Sequence, residues 1–190
     1  MTKTKRFLPL VLAAAMLAPG TAGADGGRFR DADEQPFCES PDPCPDTDYI
    51  DFDRVTFGHG PKARVLQHGI RTRERWKTKD MGGRHGVTIY LELDVDGDRA
   101  SERLLRMRRK DGELWARMFR GKDYRKEIGP ALRVWRPDRR SIKVRFPLRL
   151  LGDGVDRYRW RAGWTQRGVA CPGSCHTDFA PRRGWFEHRL

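Results

Sequence analysis

The stretch Gly86–Val95, GVTIYLELDV, decides the fold class of this chain. Apolar and polar side chains alternate along it without a break, which is the two-residue period of a β-strand with one buried face. The apolar set is Val87, Ile89, Leu91, Leu93 and Val95, and the opposite set is Thr88, Tyr90, Glu92 and Asp94. The alternation therefore predicts a strand whose first set of side chains faces a core.

The sequence on both sides of this strand repeats the same period. Alternation resumes after Asp96-Gly97-Asp98 and again after Asp111-Gly112, and Asp-Gly pairs favour tight hairpin turns. The other alternating stretches are Tyr49–Phe57, Ala63–Ile70, Glu102–Arg109, Leu114–Phe119, Leu132–Trp135, Ile142–Phe146 and Tyr158–Trp164. The segment Pro147–Gly152 predicts one helical turn. About eight short strands with no longer helical pattern predict an all-β, mostly antiparallel β-sandwich, with Trp160 and Trp164 in its core.

Length and composition limit the class of protein. The 190 residues suit one domain, and a charged content of 34 % excludes a polytopic membrane protein. Six Trp, nine Phe and four Tyr supply the large apolar side chains that a disordered basic tail lacks. The 39 Lys and Arg against 26 Asp and Glu are spread along the chain and interleaved with the acids. Specific nucleic-acid binding is therefore not predicted.

The first 24 residues have the features of a signal peptide. Lys3, Lys5 and Arg6 precede an apolar run over 7–18, and Ala22-Gly23-Ala24 gives the small-x-small pattern of a cleavage site. The run is too short to span a bilayer as a helix. We expect cleavage after Ala24, secretion and no membrane span. Three of the chain's positive charges and none of its acids lie in this leader, so the net charge falls from +13 to +10.

The remainder divides into an arm and a domain. Residues 25–48 are rich in Pro and Asp and predict an extended arm, because the Pro-interrupted stretch Pro36–Pro45 cannot sustain a helix or an interior strand. Residues 49–190 carry all the alternating stretches and form the predicted β-sandwich domain.

Four cysteines in an exported chain predict disulfides. Local pairing joins Cys38 to Cys44 and Cys171 to Cys175, which stiffens two loops. The alternative joins the arm to the C-terminal loop and pins the arm across the sandwich. A zinc site at Cys171, Cys175 and His176 is a further alternative, although the spacing lacks the partner knuckle of common zinc sites.

The turn after the first strand is a candidate metal site. Asp94, Asp96 and Asp98 alternate around Gly97 and are followed by Glu102, and hard oxygen ligands at this spacing can converge on Ca²⁺. The pattern is not an EF-hand, because the Gly and the Glu come too early. The alternative is a solvated acidic hairpin turn. We predict Asp94, Asp96 and Asp98 as ligands of a structural calcium ion.

Three aromatic residues are candidate ligand-binding residues. Tyr90 and Trp135 fall on the polar sides of their strands, and Trp76 lies in a polar loop. Exposed rings flanked by Arg and carboxylates can stack on sugars or bind anionic polymers. The alternative is that these rings pack against a second layer or under the arm.

The usual nucleophile motifs are missing from the sequence. None of the four Ser stands in a Gly-x-Ser-x-Gly elbow, the five His are scattered, and no Gly-rich phosphate loop follows a strand. We predict no catalytic residue and expect a protein that is not an enzyme, although an acid–base pair of carboxylates brought together by the fold stays open.

These features together resemble a class of secreted β-sandwiches. The Asp-rich opening before Tyr49, the hairpin Leu-Asp-Val-Asp-Gly-Asp and the ending Cys171–Pro181 are similar to small secreted proteins of actinobacteria. Over residues 46–185 the chain also resembles carbohydrate-binding family 9-like or DOMON-like domains. The resemblance implies a β-sandwich with a calcium-holding turn, and it implies no haem or sugar ligand residue.

Three functions follow as expectations. The first is an extracellular module that binds a glycan or cell-wall polymer through rings and Arg side chains. The second is non-specific electrostatic adhesion of a basic protein to anionic polymers, which salt weakens far more than stacking in a groove. The third is a secreted hydrolase built on the same scaffold.

Overall fold

The fold is taken from a computed structural model of the chain. The structure describes residues 27–30, 50–62, 64–81, 86–121, 123–166, 175–181 and 184–190. Its strands are β1 Gly27–Arg30, β2 Phe52–His59, β3 Val65–Thr72, β4 Val87–Asp94, β5 Arg103–Lys110, β6 Glu113–Arg120, β7 Lys126–Pro130, β8 Arg133–Trp135, β9 Ser141–Pro147, β10 Arg157–Gln166, β11 Cys175–Ala180 and β12 Phe186–Arg189. Short 3₁₀ turns lie at Thr78–Asp80 and Leu148–Leu150.

Two antiparallel sheets form the sandwich. The five-stranded sheet has the order β1-β2-β3-β9-β8, and the seven-stranded sheet has the order β11-β10-β4-β5-β6-β7, with β12 also paired to β10. Each described strand pair is antiparallel. The predicted all-β sandwich is confirmed.

The core lies between the facing sides of the two sheets. On the seven-stranded sheet it contains four of the five predicted inward residues, Val87, Ile89, Leu91 and Leu93 of β4, while Val95 lies just after β4 and packs against the core partly buried. From β10 it contains Tyr158, Trp160, Ala162 and Trp164. On the five-stranded sheet it contains Val55 and Phe57 of β2, Leu66 and Ile70 of β3, and Ile142, Val144 and Phe146 of β9. The inward positions of Trp160 and Trp164, both fully buried, are confirmed. Because the inner face of each sheet is buried in this core, a ligand can contact only the outer faces and the loops.

The eight predicted strands and the helical turn near residue 150 are present, and four more strands accompany them. Of these, β7 has the sequence KEIGP, whose Gly and Pro hide the two-residue period. The strands β1 and β12 have only four residues each, too few for a period to stand out. Gly27–Arg30 lies inside the predicted arm and pairs with β2 at the edge of the five-stranded sheet.

Several predictions fall outside the described residues. They are the signal peptide over 1–24, the rest of the arm, and Cys38, Cys44 and Cys171; the side chain of Cys175 is likewise not described. The disulfide pairings therefore stay predictions. In the part of the chain that the structure describes, no helix has the length and apolar character needed to cross a membrane.

Candidate functional site: an acidic hairpin and a basic sheet face

The β4–β5 hairpin brings four carboxylates together. Asp94, Asp96, Asp98 and Glu102 each offer one oxygen, and these four oxygens lie within 4.8 Å of one another. The three predicted ligands are therefore neighbours in space. Glu102 joins them although the sequence pattern placed it too early for an EF-hand, because the hairpin folds back one residue before β5 begins.

Backbone N–H groups hold these carboxylates in place. The buried carboxylate of Asp94 accepts hydrogen bonds from the N–H groups of Gly97 (2.6 Å) and Arg99 (3.1 Å). Asp96 and Asp98 each accept one from the residue two positions ahead, as Asp side chains commonly do in turns. Gly97 and Arg99 have φ values of 85° and 70°, which the tight turn requires.

The charges around the hairpin are compatible with a bound cation. Burial and the nearby charges of Asp96 and Asp94 raise the pKa of Glu102 above its ordinary value, although the N–H of Val95 opposes them. Arg159 lies 3.8 Å from the carboxylate of Asp94 and donates a hydrogen bond to the carbonyl of Gly97 (2.9 Å). Four hard oxygens are a suitable partial ligand set for Ca²⁺. The calcium site stays a prediction.

Two of the three predicted binding rings are buried, which corrects the exposure expected of them. The Tyr90 ring lies on the outer face of its sheet but is only 4 % exposed. It occupies the space left by Gly163 on β10, where an added Cβ would lie 2.6 Å from the ring, and the ring of Phe179 packs edge-on at 6.2 Å. Burial and the nearby Glu92 raise the pKa of the Tyr90 hydroxyl far above its ordinary value.

Trp76 is also 4 % exposed, although its loop is polar. The guanidinium of Arg136 lies 3.6 Å from the centre of the indole ring and donates a hydrogen bond to the Trp76 carbonyl (2.8 Å). The indole N–H points to the carbonyl of Arg140 at 3.4 Å. Trp76 therefore fastens the loop before β4 to the loop before β9, and sequence spacing does not reveal this contact between residues 60 positions apart.

Trp135, on β8, keeps part of its surface exposed. The guanidinium groups of Arg133 and Arg145 lie over its indole at 4.9 and 5.0 Å from the ring centre. Such cation–π contacts are favourable, and they leave less of the ring for a ligand. Trp135 is the one predicted ring that a ligand can reach.

Trp135 belongs to a strongly basic surface that the sequence analysis did not identify. We define the basic face as the outer surface of the five-stranded sheet that carries Arg28, Arg54, Arg71, Arg133, Lys143 and Arg145. The register places Arg28 beside Thr56, Arg54 beside Arg71, and Lys143 between Gly69 and Trp135. The six cations come from five strands, so no run of basic residues marks them in the sequence.

Few carboxylates balance this charge. Arg71 faces both Asp53 (3.6 Å) and Asp138 (3.3 Å). Among the described residues, the other five cations of the basic face form no ion pair. Burial raises the pKa of Asp138, but hydrogen bonds from the Arg140 N–H and Ser141 outweigh it, so the net pKa is below the ordinary value. The face thus keeps an excess of positive charge.

A cleft of about 350 Å³ crosses the basic face. Its walls include Arg28, Arg54, Arg71 and Lys143, together with the hydroxyl residues Thr56 and Ser141. Gly69 forms part of the floor: an added Cβ there would lie 2.7 Å from Thr56 Oγ1 and 3.4 Å from Lys143 Cγ. The absence of a side chain at residue 69 thus keeps this part of the cleft open.

Comparison of the chain with protein-family models, with curated proteins and with solved structures gave no match. The fold and the chemistry of its surfaces are therefore the grounds on which a function is argued.

Proposed function

We propose that the protein is a secreted, non-catalytic β-sandwich module that binds an anionic extracellular polymer, such as a cell-wall polysaccharide, on the basic face. The observation that carries the proposal is the set of six cations on one sheet face against two carboxylates, with Arg28, Arg54, Arg71 and Lys143 lining one cleft. A surface of one charge sign raises the local concentration of an oppositely charged partner and speeds its association. The predicted leader supports the proposal, because export would bring the protein to such polymers.

The structure changes which interaction is expected to dominate. Stacking on sugars requires exposed rings, and Trp76 and Tyr90 are buried while Trp135 lies under two guanidinium groups. Electrostatic contact requires cations that no carboxylate neutralises, and among the described residues five of the six on the basic face form no ion pair. We therefore place the Arg and Lys side chains first in the binding mechanism and Trp135 second.

The test is co-sedimentation of the purified protein with insoluble cell wall at low and at high salt. The variant Arg54→Glu/Lys143→Glu reverses two charges of the basic face. The control Arg125→Glu/Lys126→Glu reverses two exposed charges at the start of β7 on the other sheet, with the same change of net charge. We expect at least a tenfold lower retention of the first variant and less than a twofold effect of the second.

The outcomes separate the proposal from the alternatives. Equal loss in both variants would mean adhesion through net charge alone, without a site. Full retention of the first variant would remove the basic face from the mechanism. Release of reducing ends or other products from the polymer during the assay would instead favour a hydrolase.

A further inference from the structure

We infer that the cleft of the basic face seats a phosphate group, so that the polymer is a phosphodiester-linked one without bases, of the polyol-phosphate kind. The inference rests on the proposed function and specifies its ligand. It depends on the geometry of the cleft, on the hydrogen bonds that already occupy its carboxylate, Asp138, and on the guanidinium groups that already cover the neighbouring indole, Trp135.

The cations of the cleft approach it from separate strands. Arg28 comes from β1, Arg54 from β2 and Lys143 from β9, around the open floor at Gly69. A planar carboxylate is best matched by one guanidinium that binds both of its oxygens. A phosphate presents several acceptor oxygens in different directions and suits donors that arrive from several sides.

The charge of the lining also suits a phosphate. The carboxylate of Asp138 is already engaged, because it accepts hydrogen bonds from the Arg140 N–H (2.7 Å), Ser141 Oγ (3.0 Å) and Arg71 (3.3 Å). Arg71 in turn is shared between Asp138 and Asp53. This leaves Arg28, Arg54 and Lys143 for the ligand, and the Thr56 hydroxyl adds a donor on the floor.

The indole beside the cleft argues against nucleic acid as the phosphate source. Proteins that bind single-stranded nucleic acid on a sheet surface stack the bases on aromatic rings. On the described part of the basic face the available ring is Trp135, and two guanidinium groups already lie over it. A phosphodiester chain of polyols needs no ring, since its backbone charges are its main recognition feature.

The experiment compares small anions on the whole protein by amide NMR. We titrate inorganic phosphate, glycerol phosphate and acetate at constant ionic strength and pH 7.0. We follow the N–H signals of Gly69 and Thr56 on the floor and of Gly121, which comes directly after β6 of the other sheet. We expect both phosphates to shift the floor signals with a saturating curve, acetate to need at least a tenfold higher concentration, and Gly121 to stay unchanged. The Lys143→Glu variant should lose the phosphate effect while its other signals show an intact fold.

Binding measurements with three polymers distinguish failure of this inference from failure of the proposed function. Poly(glycerol phosphate) should bind at least tenfold more tightly than polygalacturonate of equal charge and than single-stranded DNA. Equal binding of the polycarboxylate would overturn the phosphate inference and leave the proposed function intact. Preferential DNA binding would overturn the assignment of a polymer without bases. Binding to none of the three would overturn both.

Discussion

Because one histidine is buried in the core, we expect the free energy of unfolding to fall in mild acid. His68 lies on the inner face of β3 and is 1 % exposed. Its Nε2 is hydrogen-bonded to the Tyr158 hydroxyl (2.7 Å), which is also bonded to Nδ1 of His188 (2.9 Å). Nδ1 of His68 has no hydrogen-bond partner among the described residues. A second proton on this ring would therefore place an unpaired charge in the core.

The direction of the effect follows from the pKa. Burial, reinforced by the nearby His188, holds the pKa of His68 well below 6.5 in the folded protein. The unfolded chain therefore binds more protons than the folded one below pH 6.5, so stability is present above that pH and is lost as the pH falls. With 1.36 kcal/mol per pKa unit, His68 alone costs about 1.4 kcal/mol between pH 7.5 and 5.5. That corresponds to a fall in Tm of about 3–6 °C for a domain of this size.

The assay is urea unfolding followed by tryptophan fluorescence at pH 7.5, 6.5 and 5.5. The variant His68→Gln keeps a polar group near Tyr158 but cannot titrate, and His59→Gln changes an exposed ring that packs 5.4 Å from His188. We expect the first variant to lose most of the acid sensitivity and the second to keep it. The pKa of Glu102 is raised on folding, so Glu102 acts in the opposite direction. Parallel pH curves for the wild type and His68→Gln would refute the reasoning.

The remaining predictions concern packing, metal and ligand. Gly163→Ala should destabilise the fold by about 1–3 kcal/mol in urea unfolding, because its Cβ meets the ring of Tyr90 at 2.6 Å; an unchanged midpoint would contradict that packing. At 1 mM, CaCl₂ should stabilise the protein relative to EDTA by about 0.4–1.4 kcal/mol if the affinity is typical of extracellular sites. Asp96→Asn/Asp98→Asn should remove that gain, and identical melting curves in CaCl₂ and EDTA would reject the calcium site. Trp135→Ala should lower retention on cell wall less than the charge reversal on the basic face does, and a larger loss would restore ring stacking as the main interaction.

The candidate site shows where prediction from sequence ends. Asp94, Asp96 and Asp98 were identified because residues in one turn are close in space whatever the rest of the fold does. The prediction of exposure was wrong for Tyr90 and Trp76, because exposure depends on what lies opposite a ring. Tyr90 is covered because residue 163 is a glycine on a neighbouring strand, and Trp76 because Arg136 packs on it from a distant loop. The spacing of residues along the chain predicts neither of these two contacts.

The sequence by itself determined that the chain forms short antiparallel strands. The two-residue period of β4 and its neighbours gives each strand one apolar side, which must be buried. It also determined the acidic hairpin, which is local. Only the tertiary structure decided the basic face, because Arg28, Arg54 and Lys143 are up to 115 positions apart and meet when β1, β2, β3 and β9 pair in register. The physical reason is that hydrophobic periodicity is a property of one strand, whereas a binding surface is formed by residues of several strands. Which residues become neighbours on that surface depends on how the strands pair by hydrogen bonds, and the order of residues within one strand does not determine that pairing.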